Sequence, residues 1–193
     1  VNNGARKYHI NEKYFDCIDT PNKAYIVGLM CADGCNFPPK GTAFISLQES
    51  DRALLEDINK ELENETPLRI VDQSNRHENN YSYNNMCTLN MYSIHICKSL
   101  ENLGIVRNKS LILEFPNIDE KLYPHLLRGY FDGDGSLYQY VKNENNKRIT
   151  LTFTSTEQFC KKIKEIVEKE LGIYCGNYDA SCHNGITKGA SLS

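Results

Sequence analysis

AYIVGLMCADG at residues 24–34 and HLLRGYFDGDG at residues 125–135 can be aligned without a gap. Their matched glycines and aspartates are 101 positions apart: Gly28 with Gly129, and Asp33 with Asp134. Thr20-Pro21, just before the first stretch, is a typical helix start. The residues that follow are apolar on nearly every side, which is typical of a buried helix. The alignment therefore predicts a tandem repeat in which each copy begins with such a helix.

Each copy continues with the same order of predicted elements. Alternating apolar residues predict a strand, a turn, a second strand and then an amphipathic helix, which Thr156 caps in the second copy. The residues predicted to face the core are Ala43, Ile45 and Leu47 in the first copy, and Ile149, Leu151 and Phe153 in the second. Strands at 67–73 and 81–91 and a helix at 93–103 complete the first copy. Only 59 residues follow Asp134, so the second copy is predicted to be shortened.

Composition excludes several classes of protein. The 193 residues are 40% hydrophobic, which is enough for a core in one large domain or two small ones. No apolar run approaches the roughly 18–20 residues of a spanning helix, and the start does not resemble a signal peptide. The first residue is Val1, so we expect a fragment of a longer protein. The eight irregularly spaced cysteines favour reduced thiols over disulfides or zinc ligands.

Two features of the repeated helix reduce stability. Each copy carries small residues four apart, Gly28 with Ala32 and Gly129 with Gly133. This spacing lets two helices approach closely, although a glycine inside a helix costs about 1 kcal/mol relative to alanine. An acid also lies at each helix C-terminus, where the dipole disfavours it by roughly 0.3–1 kcal/mol. We therefore expect the two helices to pack about a pseudo-two-fold axis.

Acids placed against the helix dipole and against each other indicate a bound cation. Their hard oxygen atoms favour Mg²⁺, which bridges protein carboxylates to phosphate. Paired acids at one seam suit metal-assisted phosphodiester hydrolysis. The alternative interpretation is that each Asp-Gly pair is only a turn.

These stretches resemble the two signature motifs of the LAGLIDADG homing endonucleases. The lead-in RKYHINEKYFDCIDTPNKAY at residues 6–25 is similar to the segment before the first motif in single-chain members. The resemblance implies an α+β fold of two pseudo-symmetric αββαββα repeats, with antiparallel sheets that form a DNA-binding saddle. It implies a monomer with an internal pseudo-two-fold axis that cuts double-stranded DNA and serves intron or intein mobility. Asp33 and Asp134 would hold Mg²⁺ or Mn²⁺.

Further positions can be carried over one by one from the resemblance. Gln48, at the end of the second strand, would order water near the metal, and Arg52 would be the basic residue four positions later. Lys109 would stabilise charge at the cut phosphate. The second copy departs from this pattern, because Thr154 is expected where Gln48 stands and Gln158 where Arg52 stands, and the counterpart of Lys109 would lie beyond Ser193.

The solvent faces of the predicted strands carry basic, hydroxyl and aromatic groups that suit contact with DNA. The candidate DNA-binding residues are Arg69, Arg76, Tyr81 and Tyr83 in the first copy, and Tyr138, Tyr140, Lys142 and Arg148 in the second. The alternative is an ordinary solvated sheet face. The formal net charge of −3 argues mildly against nucleic acid, although one face can be basic while another is acidic.

The sequence predicts a lead-in at 1–19, a first repeat at 20–118 and an incomplete second repeat at 119–193. The function expected from the repeat and the resemblance is site-specific, metal-dependent DNA cleavage. One alternative is a non-catalytic binder, either an RNA maturase or a DNA-binding regulator. Another is an enzyme that uses paired acids on phosphorylated small molecules. We expect a cytoplasmic protein (bacterial or phage-encoded) or an organellar one, neither secreted nor membrane-bound.

Overall fold

The computed structural model describes residues 7–73, 77–78, 81–143, 146–181 and 188–192. The elements of the first copy are α1 Pro21–Ala32, β1 Gly34–Phe37, β2 Thr42–Gln48, α2 Arg52–Glu61, β3 Arg69–Val71, β4 His77–Glu78, β5 Tyr81–Ser82, β6 Met86–Tyr92 and α3 Ile94–Asn102. Those of the second copy are α4 Tyr123–Asp134, β7 Gly135–Asn143, β8 Asn146–Ser155, α5 Glu157–Leu171, β9 Asn177–Ser181 and β10 Lys188–Leu192.

The helix starts predicted at Thr20 and Thr156 are confirmed. The Thr20 hydroxyl oxygen accepts a hydrogen bond from the backbone N–H of Lys23 at 3.3 Å. The Thr156 hydroxyl oxygen accepts one from the N–H of Phe159 at 3.2 Å. Each cap satisfies a backbone donor that the first turn of a helix leaves without an intrahelical partner.

The two main sheets have the same topology. One has the strand order β1-β2-β6-β3 and the other β7-β8-β10-β9, and every pairing is antiparallel. β4 and β5 form a separate two-stranded ribbon. The predicted class, a mixed α+β fold with a repeated antiparallel sheet, is confirmed.

Contacts divide the chain into two compact units that do not follow the sequence repeat. The first unit contains Val1–Ile18 and Asp33–Asn102, and the second contains Asp19–Ala32 and Leu103–Ser193. Helix α1 therefore groups with the second copy, because it packs along α4. The predicted repeat boundaries at 20–118 and 119–193 differ from the limits of these packing units and stay a prediction.

The core of the first unit lies between its sheet and helices α2 and α3. Ala43 and Ile45 of β2 and Leu89 of β6 are fully buried, as their alternation predicts. The lead-in is anchored to α3 through Asp16, whose carboxylate accepts a 2.7 Å hydrogen bond from the Ser99 hydroxyl and lies 2.7 Å from His95 Nε2. The lead-in thus contributes to this unit's packing.

The predicted core face of β8 is only partly correct. Phe153 packs against Phe131 of α4, with ring centroids 5.3 Å apart. Ile149 and Leu151 are instead 67% and 52% exposed. Leu137, the strand partner of Leu151, is 65% exposed. Helices α4 and α5 both contact strands of this sheet. Their packing nevertheless leaves the side chains of Leu137, Ile149 and Leu151 largely exposed.

None of the described helices is both long and apolar enough to cross a membrane. No disulfide joins the described cysteines, which are Cys17, Cys31, Cys35, Cys87, Cys97, Cys160 and Cys175. Their reduced state stays a prediction.

Candidate functional site

Gly28 of α1 and Gly129 of α4 bring the backbones of the two repeated helices into contact. A Cβ atom at Gly28 would lie 2.0 Å from the carbonyl oxygen of Leu126, and one at Gly129 would lie 2.0 Å from that of Tyr25. Tyr25 and Leu126 are matched by the same 101-residue offset, so the contact is reciprocal. A side chain at either glycine would force the helices apart. The predicted close packing of the two helices is confirmed.

Lys109 is positioned by the segment between α3 and α4. Asn108 has a left-handed backbone with φ of 57°, and a 3-10 turn at Lys109–Leu111 follows. The Lys109 side chain is buried, and its Nζ donates a 3.0 Å hydrogen bond to the carbonyl oxygen of Ala32, the last residue of α1. A cation at this place pairs with a carbonyl that the helix end leaves free and complements the negative end of the dipole.

Asp134 is the last residue of α4 and experiences the charge of Lys109. Desolvation raises the pKa of its carboxyl, and the Lys109 ammonium partly offsets that increase. Desolvation likewise raises the pKa of the buried Cys31 thiol to about 12, again opposed by Lys109. Cys31 is therefore protonated at neutral pH, which fits its predicted role in packing rather than in metal binding.

A second acid near the end of α4 is bound to the opposite helix. The Tyr25 hydroxyl of α1 donates a 2.8 Å hydrogen bond to Oδ2 of Asp132. The guanidinium carbon of Arg128 lies 4.7 Å from the centroid of the Tyr25 ring. Desolvation, together with the hydrogen bond to Asp132, raises the pKa of Tyr25 to about 12, so its hydroxyl remains a donor.

The other predicted catalytic residues belong to the first unit. Asp33 lies in the turn between α1 and β1. Gln48 is the exposed last residue of β2, and its Oε1 accepts a 3.1 Å hydrogen bond from Nδ2 of Asn84. Arg52 begins α2, and its Nε lies 2.8 Å from Oε1 of Glu56 in an exposed ion pair. The juxtaposition of Asp33 and Asp134 stays a prediction.

Strand pairing corrects the alignment of the two copies along their second strands, β2 and β8. Gly34 pairs with Ile45, and its counterpart Gly135 pairs with Phe153. The residue equivalent to Gln48 is therefore Thr156, two positions beyond the predicted Thr154, and the proposed match of Arg52 with Gln158 shifts equally. A displacement by two residues keeps the inward and outward alternation of a strand, so the pattern alone did not reveal it.

With this correction, the residue of the second copy that is equivalent to Gln48 is Thr156, which has a different role. The Thr156 hydroxyl donates to the carbonyl oxygen of Leu113 and accepts from the N–H of Phe159. It is a buried helix cap rather than an exposed amide like Gln48. The two copies therefore supply different groups at this equivalent position.

Several candidate DNA-binding residues lie on solvent-facing sheet surfaces. Tyr138 and Tyr140 are 63% and 48% exposed, and Tyr138 pairs with Thr150 across the β7–β8 ladder. Arg69 is exposed and pairs with Thr88, whose hydroxyl lies 2.8 Å from that of Ser46 on the same face. Tyr83 is half-buried before β6. Arg76 lies outside the described residues, as do the side chains of Tyr81, Lys142 and Arg148.

The sequence interpretation missed Asn84 and Tyr25 as partners of candidate site residues. Asn84 belongs to the Asn84-Asn85 pair, for which no role was predicted. Tyr25 was counted only as part of the first motif. The separations from Tyr25 to Asp132 and from Asn84 to Gln48 carry no periodic signal that would identify either pair.

At the end of α4, the Asp134 carboxylate is a donor of the type that a hard divalent cation binds. Among the described residues, no group of three or more His, Cys, Asp or Glu side chains could hold a metal by itself. The Asp134 carboxylate is a hard oxygen donor that is partly desolvated, with Lys109 opposing the effect of desolvation on its pKa. Mg²⁺ suits such a sparse site, because it binds one or two carboxylates and retains waters or takes phosphate oxygens.

Comparison with known protein families gives a match in the second copy. Residues 122–189 match the family described as a LAGLIDADG-like domain. This match includes α4 with Gly129 and Asp134, and it confirms the resemblance predicted from the motifs. No curated protein sequence was found to match the chain.

Comparison with solved structures identifies the fold. The LAGLIDADG homing endonuclease I-GzeII in complex with its DNA target matches with a TM-score of 0.54 and 15% identity, over 91% of this chain and 78% of that one. I-SmaMI bound to uncleaved DNA in the presence of calcium ions matches at 0.52 and 15%, over 91% and 79%. Full-length DUF199/WhiA from Thermatoga maritima matches at 0.53 and 15%, over 94% of this chain and 54% of that one.

The chain therefore has the fold found in the LAGLIDADG homing endonucleases, as the sequence predicted. The same fold occurs in DUF199/WhiA, and a shared fold does not by itself establish a shared function.

Proposed function

We propose that this protein is a site-specific endonuclease that hydrolyses phosphodiester bonds in double-stranded DNA, with Asp33 and Asp134 as the ligands of Mg²⁺ or Mn²⁺. The observation that carries the proposal is the end of the α1–α4 pair. There the carboxyl of Asp134 is partly desolvated, and the buried ammonium of Lys109 caps the last carbonyl of α1. The Asp134 carboxylate lies at the negative end of the α4 dipole and is disfavoured by desolvation, which points to a function at this place.

The charges of this site suit a scissile phosphate. Lys109 donates to the carbonyl oxygen of Ala32 and also interacts electrostatically with Asp134, so its ammonium is held near the ends of both motif helices. A phosphate oxygen that gains charge during cleavage would be stabilised by this ammonium. When bound, a divalent cation would lower the pKa of a coordinated water and neutralise the leaving oxygen.

Residues of the first unit would support the same reaction. Gln48 presents an amide whose Oε1 is already bonded to Asn84, which leaves its NH₂ group to bind a water or a phosphate oxygen. Arg52 would contribute positive charge near the DNA backbone. To do so it would give up its exposed ion pair with Glu56, which costs little. The exposed faces carrying Arg69, Tyr138 and Tyr140 would contact phosphates and groove edges.

The proposal extends to the setting in which the protein acts. A single chain with two motif helices would bind its target as a monomer with an internal pseudo-two-fold axis. Such an activity would serve the mobility of an intron or intein, in a bacterial or phage-infected cytoplasm or in an organelle.

Cleavage of a random-sequence duplex library, followed by sequencing of the cut ends, tests this function. With Mg²⁺, the wild-type protein should cut a restricted set of sites, and EDTA should abolish cutting. Asp33→Asn and Asp134→Asn should each lose the activity, whereas Asp57→Asn, in an exposed acid of α2, should retain it. Equal cutting by Asp134→Asn and the wild-type protein would refute the assignment.

A second candidate function is sequence-specific binding without cleavage. It is favoured by the asymmetry of the two copies, because Thr156 is a buried helix cap where the first copy has the exposed amide of Gln48. A binder should retain the selected duplexes equally well in EDTA and in Mg²⁺, and should never nick them.

A further inference from the structure

The α1–α4 pair combines a symmetric backbone contact with an asymmetric set of side chains. Gly28 and Gly129 make equivalent contacts on the opposite helix. The side chains beside them differ, because the 101-residue offset matches Tyr25 with Leu126 and Asp132 with Cys31. Leu126 and Cys31 are buried. One side of the pair is therefore apolar, and the other carries a polar contact.

The polar contact joins three side chains, Tyr25, Arg128 and Asp132, which we call the clamp. Tyr25 donates to Asp132 at 2.8 Å across the two helices. Arg128 lies on the same helix as Asp132, four residues earlier, and its guanidinium stacks over the Tyr25 ring at 4.7 Å. The ring is thus held by a hydrogen bond at its hydroxyl and by a cation on its face.

The two acids at the end of α4, Asp132 and Asp134, have different interaction partners. Residues two apart on a helix lie about 200° apart around its axis, so Asp132 and Asp134 leave the helix on different sides. Asp132 is bound to Tyr25 on α1, whereas Asp134 is influenced by Lys109. A slide or rotation of α4 against α1 would break the Tyr25–Asp132 bond and would also move Asp134.

We propose that Tyr25 is a positioning residue, which fixes the register of α4 through Asp132 and thereby sets the place of the Asp134 carboxylate. This inference rests on the proposed function, in which Asp134 binds the metal. Asp132 is then not a metal ligand, although it is the nearest acid in sequence to Asp134 within the motif.

Two measurements on the full chain test the clamp, using Tyr25→Phe, Asp132→Asn and the double variant. The first is the free energy of unfolding without metal, arranged as a double-mutant cycle. The second is Mn²⁺ binding, followed by loss of the electron paramagnetic resonance signal of the free ion. Tyr123→Phe is the matched control, because it removes a tyrosine hydroxyl from α4 at a ring that instead contacts Phe115.

The clamp predicts that the two single variants lose similar Mn²⁺ affinity, by about tenfold, the lower end of the cost of removing support from a metal ligand. The amount of Mn²⁺ bound at saturation should not change. The double variant should be no weaker than either single variant, and the unfolding cycle should be non-additive. Tyr123→Phe should bind Mn²⁺ like the wild-type protein.

Three results would overturn the inference: an additive unfolding cycle, Mn²⁺ affinity in Tyr25→Phe equal to that of Tyr123→Phe, or complete loss of binding in Asp132→Asn. The last result would make Asp132 itself a ligand. Failure of the proposed function has a separate signature, in which Asp134→Asn binds Mn²⁺ as the wild-type protein does or the wild-type protein binds none.

Discussion

Lys109 donates a 3.0 Å hydrogen bond from Nζ to the carbonyl oxygen of Ala32, at the C-terminal end of α1. The same ammonium lowers the pKa of Asp134, which desolvation raises. One buried cation thus connects the end of the first motif helix with the acid of the second. The charge distribution at this helix end depends on a residue that belongs to neither motif.

The first prediction concerns Lys109→Met, which removes the charge and keeps most of the aliphatic side chain. The pKa of Asp134 should rise further, because no ammonium then favours its carboxylate. Carbon-13 NMR titration of the aspartate carboxyls measures this directly. Lys121→Met, at an exposed lysine before α4, should leave the pKa of Asp134 where it is. The same Asp134 pKa in both variants would contradict the proposed coupling.

The second prediction concerns the two glycines of the helix contact. Gly28→Ala and Gly129→Ala should each reduce the free energy of unfolding by about 3 kcal/mol, because a Cβ atom would press into a backbone carbonyl that cannot rotate away. Gly172→Ala is the control, since its φ is +64° but nothing lies within 4 Å of the added Cβ. It should cost only about 1 kcal/mol, from backbone strain.

Chemical denaturation of the three glycine variants distinguishes the stability lost through a steric clash from the stability lost through backbone strain. Both motif glycines are expected to be more costly to replace than Gly172. A smaller loss in Gly28→Ala than in Gly172→Ala would mean that α1 and α4 are not in backbone contact.

The third prediction compares Ile45 of β2 with Ile149 of β8, because the alternation of apolar residues predicts that both face the core. Ile45→Ala should cost about 3 kcal/mol, because Ile45 is fully buried. Ile149→Ala should change stability by less than about 0.5 kcal/mol, because its side chain is 67% exposed. Equilibrium denaturation measures both losses. A large loss in Ile149→Ala would show that the outer half of the β7–β8 hairpin is covered.

The fourth prediction concerns pH and the anchoring of the lead-in. The Ser99 hydroxyl and then His95 hold the pKa of Asp16 below its ordinary value of 3.8. Because the pKa is lower in the folded state, the Asp16 carboxylate stabilises the protein above the unfolded-state pKa, and this stabilisation is lost as the pH falls through the folded-state pKa. Asp16→Asn should therefore be less stable than the wild-type protein at neutral pH.

The stability difference between Asp16→Asn and the wild-type protein should shrink once the pH falls below 3.8. Urea denaturation of both proteins at neutral pH and at about pH 2.5 measures how this stability difference changes. Ser99→Ala should reproduce part of the pH dependence, because it removes the principal donor to Asp16. An equal difference at both pH values would exclude a carboxylate-specific anchor.

Much of the fold follows from local sequence patterns. The aligned glycines predict the helix contact because only a missing side chain allows two backbones to approach so closely, and Gly28 and Gly129 are where the structure places that contact. The strand alternation at Ala43 and Ile45 and the helix cap at Thr156 are likewise local signals, and each is present. These features depend on neighbours in sequence or on a simple period.

What the sequence does not predict depends on distant partners. Alternation cannot tell Thr154 from Thr156 as the counterpart of Gln48, because both choices have the same face of the strand. Nor does an apolar strand face reveal that the Leu151 side chain is largely exposed, since its burial depends on how distant elements pack over the strand. The bond from Tyr25 to Asp132 is a tertiary contact between two separately plausible helices.

Crystals grown with a cleavable or selected duplex and Mn²⁺, measured at the manganese absorption edge, test the metal assignment most directly. We predict anomalous density about 2.0–2.2 Å from carboxylate oxygens of both Asp33 and Asp134, the distance expected for a small divalent cation on oxygen ligands. Manganese density that is absent from both carboxylates while the DNA is bound would contradict a metal-dependent nuclease.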